Sequence, residues 1–267
     1  MIDLHCHLLP GIDDGAQTLM QAVEMASIAA ADGCRVIVAT PHQRRDEWDT
    51  SDPRRLAATL AELAQKIPGL PELRLGGEVR VDSDLLSDLA NPERAGVLSL
   101  GGSRYLLLEL EPFGLGPDPV EVILELIAEG WRPIVAHPEV IPFLWENEDD
   151  LLARLVEAGA LLQVTAMSVT GEFGRGAKER VWDLLRAGWV HFVASDSHRP
   201  DWRPPGLSRA RLAIERELGT EIAEALTAGH AQAVLDDRTF ENAAVSAPAV
   251  SARAMPRRLY DVSRATR

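Results

Sequence analysis

The sequence predicts an α/β fold in which a closed barrel of parallel strands is surrounded by helices. Two observations lead to this prediction. Short apolar runs rich in β-branched residues alternate with longer helical patterns seven times along the chain, which is typical of a parallel sheet. The chain has 267 residues, a length at which one barrel domain is a common arrangement.

The individual elements follow from the periodicity of apolar residues. Strands of five to eight residues are predicted over 2–6, 35–39, 72–79, 105–110, 132–136, 161–165 and 190–195. Helices are predicted over 18–32, 53–66, 82–89, 118–129, 147–158 and 175–187, with closing helices over 206–236. Four glycines stand between a helical pattern and the next strand, where a helix-ending glycine belongs: Gly33, Gly130, Gly159 and Gly188.

Composition bounds the domain organisation and the class of partner. We expect one domain over 1–244 and a disordered basic tail over 245–267, which holds five arginines and Asp261 as its one acid. The formal net charge of the chain is −14, which argues against a general affinity for nucleic acid or anionic lipid. Without the tail, the net charge of the domain is −18 (−14 less the tail's +4), so bound cations would offset part of it.

The sequence also predicts where the protein resides. Its two cysteines, Cys6 and Cys34, are too few for a disulfide framework and suit a reducing cytosol. No basic and apolar leader resembling a signal peptide and no uninterrupted apolar run of membrane-spanning length is found. We therefore expect a cytoplasmic protein without membrane insertion, and the oligomeric state is left open.

Side chains able to bind metal cluster at predicted strand ends. The first strand ends in DLHCH, and its period of two predicts that Asp3, His5 and His7 share one face while Cys6 points the other way. The other candidates follow the strands or lie in the next loop: Asp14, His42, Glu78, Glu109, His137, Asp196 and His198.

In a parallel barrel the carboxyl ends of all strands converge on one mouth. Nine donors (His5, His7 and the seven residues above) would meet there, enough for two or three ions of Mn, Fe or Zn, because imidazole and carboxylate without thiolate suit these metals. His191 and His230 are assigned to structure. Glu111 shares the strand parity of Glu109, and Asp13 adjoins Asp14, so either could exchange roles with its neighbour.

The order of the motifs resembles a known family. The segments DLHCHLLPGIDDGAQT, ATPH, GGEV, LLLELE, PIVAHPE and VASDSHRPDWRPP resemble the polymerase-and-histidinol-phosphatase (PHP) superfamily. Within it they are most similar to the manganese-dependent protein-tyrosine phosphatases of bacterial capsular polysaccharide synthesis. The resemblance covers residues 1–240 and implies a distorted (β/α)7 barrel, similar to a TIM barrel, with a trinuclear metal centre at the carboxyl ends of the strands.

The resemblance also implies ligand sets. One ion would be held by His5, His7, Glu78 and Asp196; a second by Glu78, Glu109 and His137; and the third by Asp14, His42 and His198. Asp3 would orient a ligand imidazole through its other nitrogen. Arg203 matches a family arginine that contacts substrate phosphate, and His198 could also assist the leaving group. A second family arginine is replaced by Val140, and Arg44, Arg45 or Arg199 could substitute for it.

Three functions remain open at this stage. The first is a metal-dependent phosphomonoesterase, namely a protein-tyrosine phosphatase that acts on a bacterial tyrosine autokinase of capsule or exopolysaccharide synthesis. The second is a phosphatase or phosphodiesterase for a small molecule such as histidinol phosphate, and the third is a catalytically inactive metal-binding regulator. Cysteine-based phosphatase chemistry is excluded, because Ile12 and Thr40 stand where the Cys-x5-Arg loop requires arginine.

Overall fold

The computed structural model describes residues 1–67, 69, 71–91, 96–146 and 150–240. The predicted tail over 245–267 and the first residues of the helix predicted over 147–158 lie outside the described residues. No helix within the described part of the chain is both long enough and apolar enough to span a membrane.

The described part of the chain contains nine strands, and all paired strands are parallel. The strands are β1 (Ile2–Cys6), β2 (Val36–Ala39), β3 (His42–Gln43), β4 (Glu72–Leu75), β5 (Glu78–Arg80), β6 (Tyr105–Glu109), β7 (Arg132–Ala136), β8 (Leu161–Thr165) and β9 (Phe192–Ala194). They form a three-stranded sheet of order β1-β2-β4 and a six-stranded sheet of order β3-β5-β6-β7-β8-β9.

Most helices lie close to their predicted positions. They are α1 (Leu19–Ala31), α2 (Pro53–Lys66), α3 (Leu85–Leu89), α4 (Pro119–Ala128), α5 (Pro142–Glu146), α6 (Leu151–Glu157), α7 (Ala166–Thr170), α8 (Arg175–Arg186), α9 (Ser208–Leu218), α10 (Thr220–Glu224) and α11 (His230–Leu235). The short helices α5 and α7 were not predicted. Capping side chains and prolines explain where several of these helices begin. Thr18 caps α1 through its side chain, while Asp52 and Asp118 cap α2 and α4, each followed by proline.

The strand predicted over 72–79 is divided in two. Gly76 and Gly77 separate β4 from β5 because the Gln43 side chain occupies this point, 2.2 Å from where a Cβ of Gly77 would lie. Its amide oxygen accepts a hydrogen bond from Leu98 N and its amide nitrogen donates to Gly96 O. The predicted continuous strand is therefore wrong at these two glycines, and the break transfers the chain from one sheet to the other.

A closed barrel is not detected among the described residues, so the fold is established as mixed α/β with parallel sheets. β1 nevertheless lies beside the segment that follows β9. An isolated parallel bridge joins Cys6 to Ser197, and Asp196 N donates to His5 O over 2.8 Å. The carboxyl ends of β1 and β9 are thereby held together, which brings residues from both ends of the chain to one place.

Two apolar clusters support this edge. A smaller one unites buried residues of β1, β2, β6, β7 and β9 with α11, and it includes Leu4 and Ala136, which directly precede two candidate ligands. A larger one fills the space between the sheets and the outer helices. The candidate ligands therefore project from a close-packed base, which restricts their side-chain freedom.

Candidate metal centre

All nine predicted ligands meet at one place, where His42 and Glu78 begin the short strands β3 and β5 and the others lie in or after the last residues of strands. They form overlapping clusters whose donor atoms lie within 4.8 Å of one another. The clusters are His7, Asp14, His42 and His198; His5, His137 and Asp196; His5, His7 and Glu78; and His42, Glu78 and Glu109. His137 thus groups with His5 and Asp196, and Glu109 groups with His42, which differs in detail from the expected sets.

A bulge in β1 aims the first two histidines. The pairing register with β2 shifts by one residue between Asp3 and Cys6, so the strand does not alternate strictly. Asp3 therefore has a different role from the one predicted. Its carboxylate accepts hydrogen bonds from Ser195 N and Oγ, at 2.9 and 2.5 Å, and from His5 N, and it orients backbone instead of an imidazole.

The orienting partners of the ligand imidazoles lie elsewhere. Gln163 Oε1 lies 2.8 Å from His5 Nδ1, and Asp13 Oδ2 lies 2.8 Å from His7 Nδ1. His198 Nδ1 donates to the Asp196 carbonyl over 3.0 Å. Because each acceptor holds the proton on Nδ1, each Nε2 presents its lone pair to the centre.

The loop after β1 depends on one glycine. Asp13 Oδ1 accepts from Gly15 N, and a Cβ on Gly15 would lie 2.1 Å from His7 O, so any side chain would displace the backbone. The same Asp13 carboxylate also accepts from His42 N over 3.0 Å. Asp13 therefore orients the His7 ring and the start of β3, whereas the carboxylate of Asp14 is half exposed to solvent.

Three site residues have left-handed backbone conformations that side-chain-bearing residues rarely adopt. The φ angles are 35° at His137, 51° at Asp196 and 58° at Arg203. Such conformations cost of order 1–3 kcal/mol each and persist at functional sites where the surroundings hold them. The fold therefore retains strain at the positions that turn these side chains toward the centre.

The donor atoms fit cations because several atoms that carry lone pairs face one another at close range. His5 Nε2 and His7 Nε2 lie 3.2 Å apart, and each lies 3.4–3.5 Å from Glu78 Oε2 and Asp196 Oδ1. Glu78 Oε2 is buried and has no hydrogen bond of acceptable geometry within the described residues. A bound cation would satisfy these lone pairs, whereas bare protein leaves buried acceptors unpaired.

The cluster shifts the pKa values of its members strongly. Burial alone lowers the pKa of a histidine, but Glu78 raises the pKa of His42 to about 9 and that of His137 to about 9. Burial raises the pKa of Glu78, yet His5 and His42 hold it well below its usual value. In the metal-free protein His42 and His137 are therefore imidazolium groups paired with the Glu78 carboxylate.

Comparison with known proteins decides the family. Residues 1–236 match the family described as "Capsular polysaccharide synthesis, CpsB/CapC". This chain belongs to the CpsB/CapC family.

Its similarity to members of that family extends over the whole described fold. The chain is 35% identical to tyrosine-protein phosphatase YwqE of Bacillus subtilis over 244 residues, covering 90% of this chain and 93% of the relative. It is 28% identical to tyrosine-protein phosphatase CpsB of Streptococcus agalactiae over 243 residues, covering 88% and 98%. A solved structure, from work on YwqE and on CpsB of Streptococcus pneumoniae as metal-dependent tyrosine phosphatases, has a TM-score of 0.84, 33% identity and coverage of 90% and 96%.

The arginines near the centre of this CpsB/CapC chain divide into two groups. Arg203 forms an ion pair with Asp196, and Arg45 forms a bidentate pair with Glu109, so both guanidinium groups touch candidate ligands. Arg44 is engaged by Asp82 and Asp88 instead. Arg44 is therefore a poor substitute for the missing family arginine, whereas Arg45 is well placed.

The remaining sequence candidates take structural roles. Val140 ends a short 3₁₀ turn directly after His137, and its side chain is 39% exposed. Glu111 accepts hydrogen bonds from Phe113 N and Leu115 N in the loop after β6 and does not replace Glu109. His191 accepts from Leu162 N, and His230 donates to His191 O, so both structural assignments are confirmed.

Metal binding is expected to release protons. His42 and His137 are protonated at neutral pH in the metal-free protein because their pKa values are raised to about 9, and a metal ligand must be neutral. Mn²⁺ affinity should therefore rise from pH 6 to pH 9 and then level off. Because the pKa of the ligand His7 is also raised well above its usual value, calorimetric titration at pH 7 in two buffers of different protonation enthalpy should show release of about three protons per chain. Binding without proton release would contradict this assignment.

The cysteine between the two histidines is expected to be dispensable. Cys6 is fully buried in the larger apolar cluster, its Sγ lies 3.0 Å from Ser197 Oγ, and burial raises the pKa of its thiol well above the usual value. Cys6→Ser should retain most turnover, and a thiol alkylator should not inhibit, whereas vanadate should. A folded, metal-loaded but inactive Cys6→Ser protein would contradict the strand orientation described here.

Proposed function

We propose that this protein is a metal-dependent phosphatase that removes phosphate from phosphotyrosine in proteins. The observation that carries the proposal is the meeting of nine imidazole and carboxylate side chains at one edge of the sheets, in a member of the CpsB/CapC family. Relatives that match nearly the whole of this chain are named tyrosine-protein phosphatases. This donor chemistry suits Mn, Fe or Zn, of which we propose two or three ions.

The proposed ligand sets use each of the nine residues. They are His5, His7, Glu78 and Asp196 for one ion, Glu78, Glu109 and His137 for a second, and Asp14, His42 and His198 for a third. The third set is supported directly by the cluster that holds its three members together with His7. When bound, such ions supply activated water and neutralise phosphate charge.

The chain's own cations would complete the neutralisation of the substrate. We propose that Arg203 contacts the phosphoryl oxygens, since it lies beside Asp196 and is only partly buried. Arg45 lies similarly beside Glu109. His198 is assigned as a ligand, and its further use on the leaving group is weakly supported, because its Nδ1 is bound to the Asp196 carbonyl and its Nε2 faces Asp14.

Two tryptophans favour an aromatic substrate. Trp48 stacks on His42 at 4.9 Å between ring centroids, and Trp202, half exposed, meets His198 edge-on at 5.7 Å. Both therefore flank the set that includes the half-exposed Asp14, which is the side of the centre open to solvent. Aromatic walls at this point would pack against a tyrosyl ring.

The second candidate is a phosphatase or phosphodiesterase for a small molecule such as histidinol phosphate. The specific observation that favours it is Val140, which ends the turn after His137 at a position where the family resemblance implies a phosphate-binding arginine. An enzyme with one fewer phosphate contact depends more on other features of its substrate. The tryptophan walls count against this candidate, because they suit a phenyl ring better than an alkyl chain.

A substrate panel with metal analysis tests the proposal. Purified protein should contain two or three equivalents of transition metal, chelation should abolish hydrolysis, and Mn²⁺ should restore it. A phosphotyrosine peptide should be turned over far faster than histidinol phosphate or a phosphodiester. The reverse preference would support the second candidate, and full activity of the demetallated protein would overturn the metal-dependent mechanism.

We further propose the biological setting and the finer architecture. The partner is a bacterial tyrosine autokinase of capsule or exopolysaccharide synthesis, and the protein acts in the cytoplasm, which is consistent with two buried unpaired cysteines. The domain spans 1–244 as a distorted (β/α)7 barrel, in which β2 with β3 and β4 with β5 each count as one interrupted strand. The bridge between Cys6 and Ser197 supports closure of the barrel, because it places β1 next to the end of β9.

A further inference from the structure

A groove between α8 and α9 is basic although the chain as a whole is acidic. The two helices contain seven Lys or Arg against four Asp or Glu, a local net charge of +3 in a chain of −14. α7 forms the floor of the groove, and the walls carry Lys178, Arg186, Arg209 and Arg216 together with Leu212 and one acid, Glu217. Such a local reversal of charge attracts anionic partners.

Two of the four cations are available for a ligand. Arg209 pairs with Glu172, and Arg186 lies 3.8 Å from Asp183. Lys178 and Arg216 have no carboxylate partner among the described residues, and both side chains are exposed. Leu212, half exposed on the same wall, adds an apolar surface. The groove therefore offers charge and some apolar contact to an extended chain.

Two side-chain contacts link the groove to the metal centre. The Arg203 guanidinium lies 5.1 Å from the ring centre of Phe173, and the next residue back, Glu172, holds Arg209 at the near end of the groove. From Lys178 to Arg186 a helix rises about 12 Å. An extended peptide covers about 3.3 Å per residue, so about four residues would span this length.

We propose that this groove binds acidic residues that flank the phosphotyrosine of a protein substrate. The inference rests on the proposed phosphatase function and deepens it, since it names the sequence feature that the enzyme selects. The side chains act on binding, so the preference should appear in KM and leave kcat and the hydrolysis of p-nitrophenyl phosphate unchanged.

Matched phosphotyrosine peptides test the proposal. Each carries a block of four acidic or four serine residues, on either the amino or the carboxyl side of the phosphotyrosine. The acidic block on one side should lower KM by about threefold to tenfold at low salt, and added salt should reduce the difference. In the double variant Lys178→Ser with Arg216→Ser the preference should disappear.

The matched control is the double variant Arg35→Ser with Lys66→Ser. It removes one exposed arginine directly before β2 and one exposed lysine at the end of α2, neither of which lines the groove. It should keep the preference. An acidic preference that survives in the groove variant, or no preference in the parent, would overturn the proposal. Failure to hydrolyse any phosphotyrosine substrate would instead count against the proposed function itself.

Discussion

Replacing Glu78 by glutamine is expected to remove metal from the centre and to lower kcat/KM about a thousandfold or more. Glu78 is fully buried and reaches His42, His137, His5 and His7 with its two oxygens. Glutamine keeps the size but removes the negative charge and offers only one oxygen. Because a bound ion contributes several kcal/mol of transition-state stabilisation, its loss affects the rate by orders of magnitude.

Glu111→Gln is the matched control, since it makes the same chemical change two residues after Glu109. The Glu111 side chain binds only loop amides in the described structure, so metal content and turnover should stay near those of the parent. Metal should be measured by mass spectrometry and folding by circular dichroism. A Glu78→Gln protein with full metal content and parental turnover would refute the central position assigned to this carboxylate.

The convergence of the ligands could be predicted from the sequence because it depends only on strand order. In parallel sheets every carboxyl end lies on one edge, so a histidine or carboxylate at each strand end suffices to predict a cluster. Glu109 and His137 lie where this rule places them, whereas His42 and Glu78 begin the short strands β3 and β5, which follow β2 and β4 after a break. The helix-ending role of the glycines was equally predictable, and Gly33 and Gly159 have the expected positive φ.

The fine geometry could not be predicted, because it depends on contacts between distant residues. Strict alternation placed Asp3 with the ligands, whereas the bulge in β1 shifts the pairing register between Asp3 and Cys6. Gln163 orients His5 across 158 residues of sequence, and only its position as a buried polar residue within an apolar strand could have indicated a role. The break at Gly76 and Gly77 likewise requires the Gln43 side chain.

Arg203→Ala is expected to lower kcat/KM about a hundredfold. A charged hydrogen bond to a phosphoryl oxygen contributes roughly 1.5–3 kcal/mol, and the loss of one cation that stabilises the transition state costs on the order of a hundredfold. Val140 leaves fewer cations to share this role. Arg44→Ala is the control, because Asp82 and Asp88 already engage that guanidinium and its loss should change the rate little.

The metal content of the variant distinguishes two roles of Arg203, binding substrate and positioning a ligand, because the same guanidinium pairs with the candidate ligand Asp196. If Arg203 serves the substrate, Arg203→Ala retains its metal and loses rate. Arg203→Lys then recovers only part of the rate, since lysine supplies charge without the planar pair of donors. Loss of metal in Arg203→Ala, with activity restored by excess Mn²⁺, would show that the arginine positions Asp196 instead. The rates of all variants should be measured at one ionic strength, because salt screens the charge of the partly exposed guanidinium. If Arg203→Ala hydrolyses substrate at the parental rate, Arg45 or Arg199 makes the phosphate contact instead.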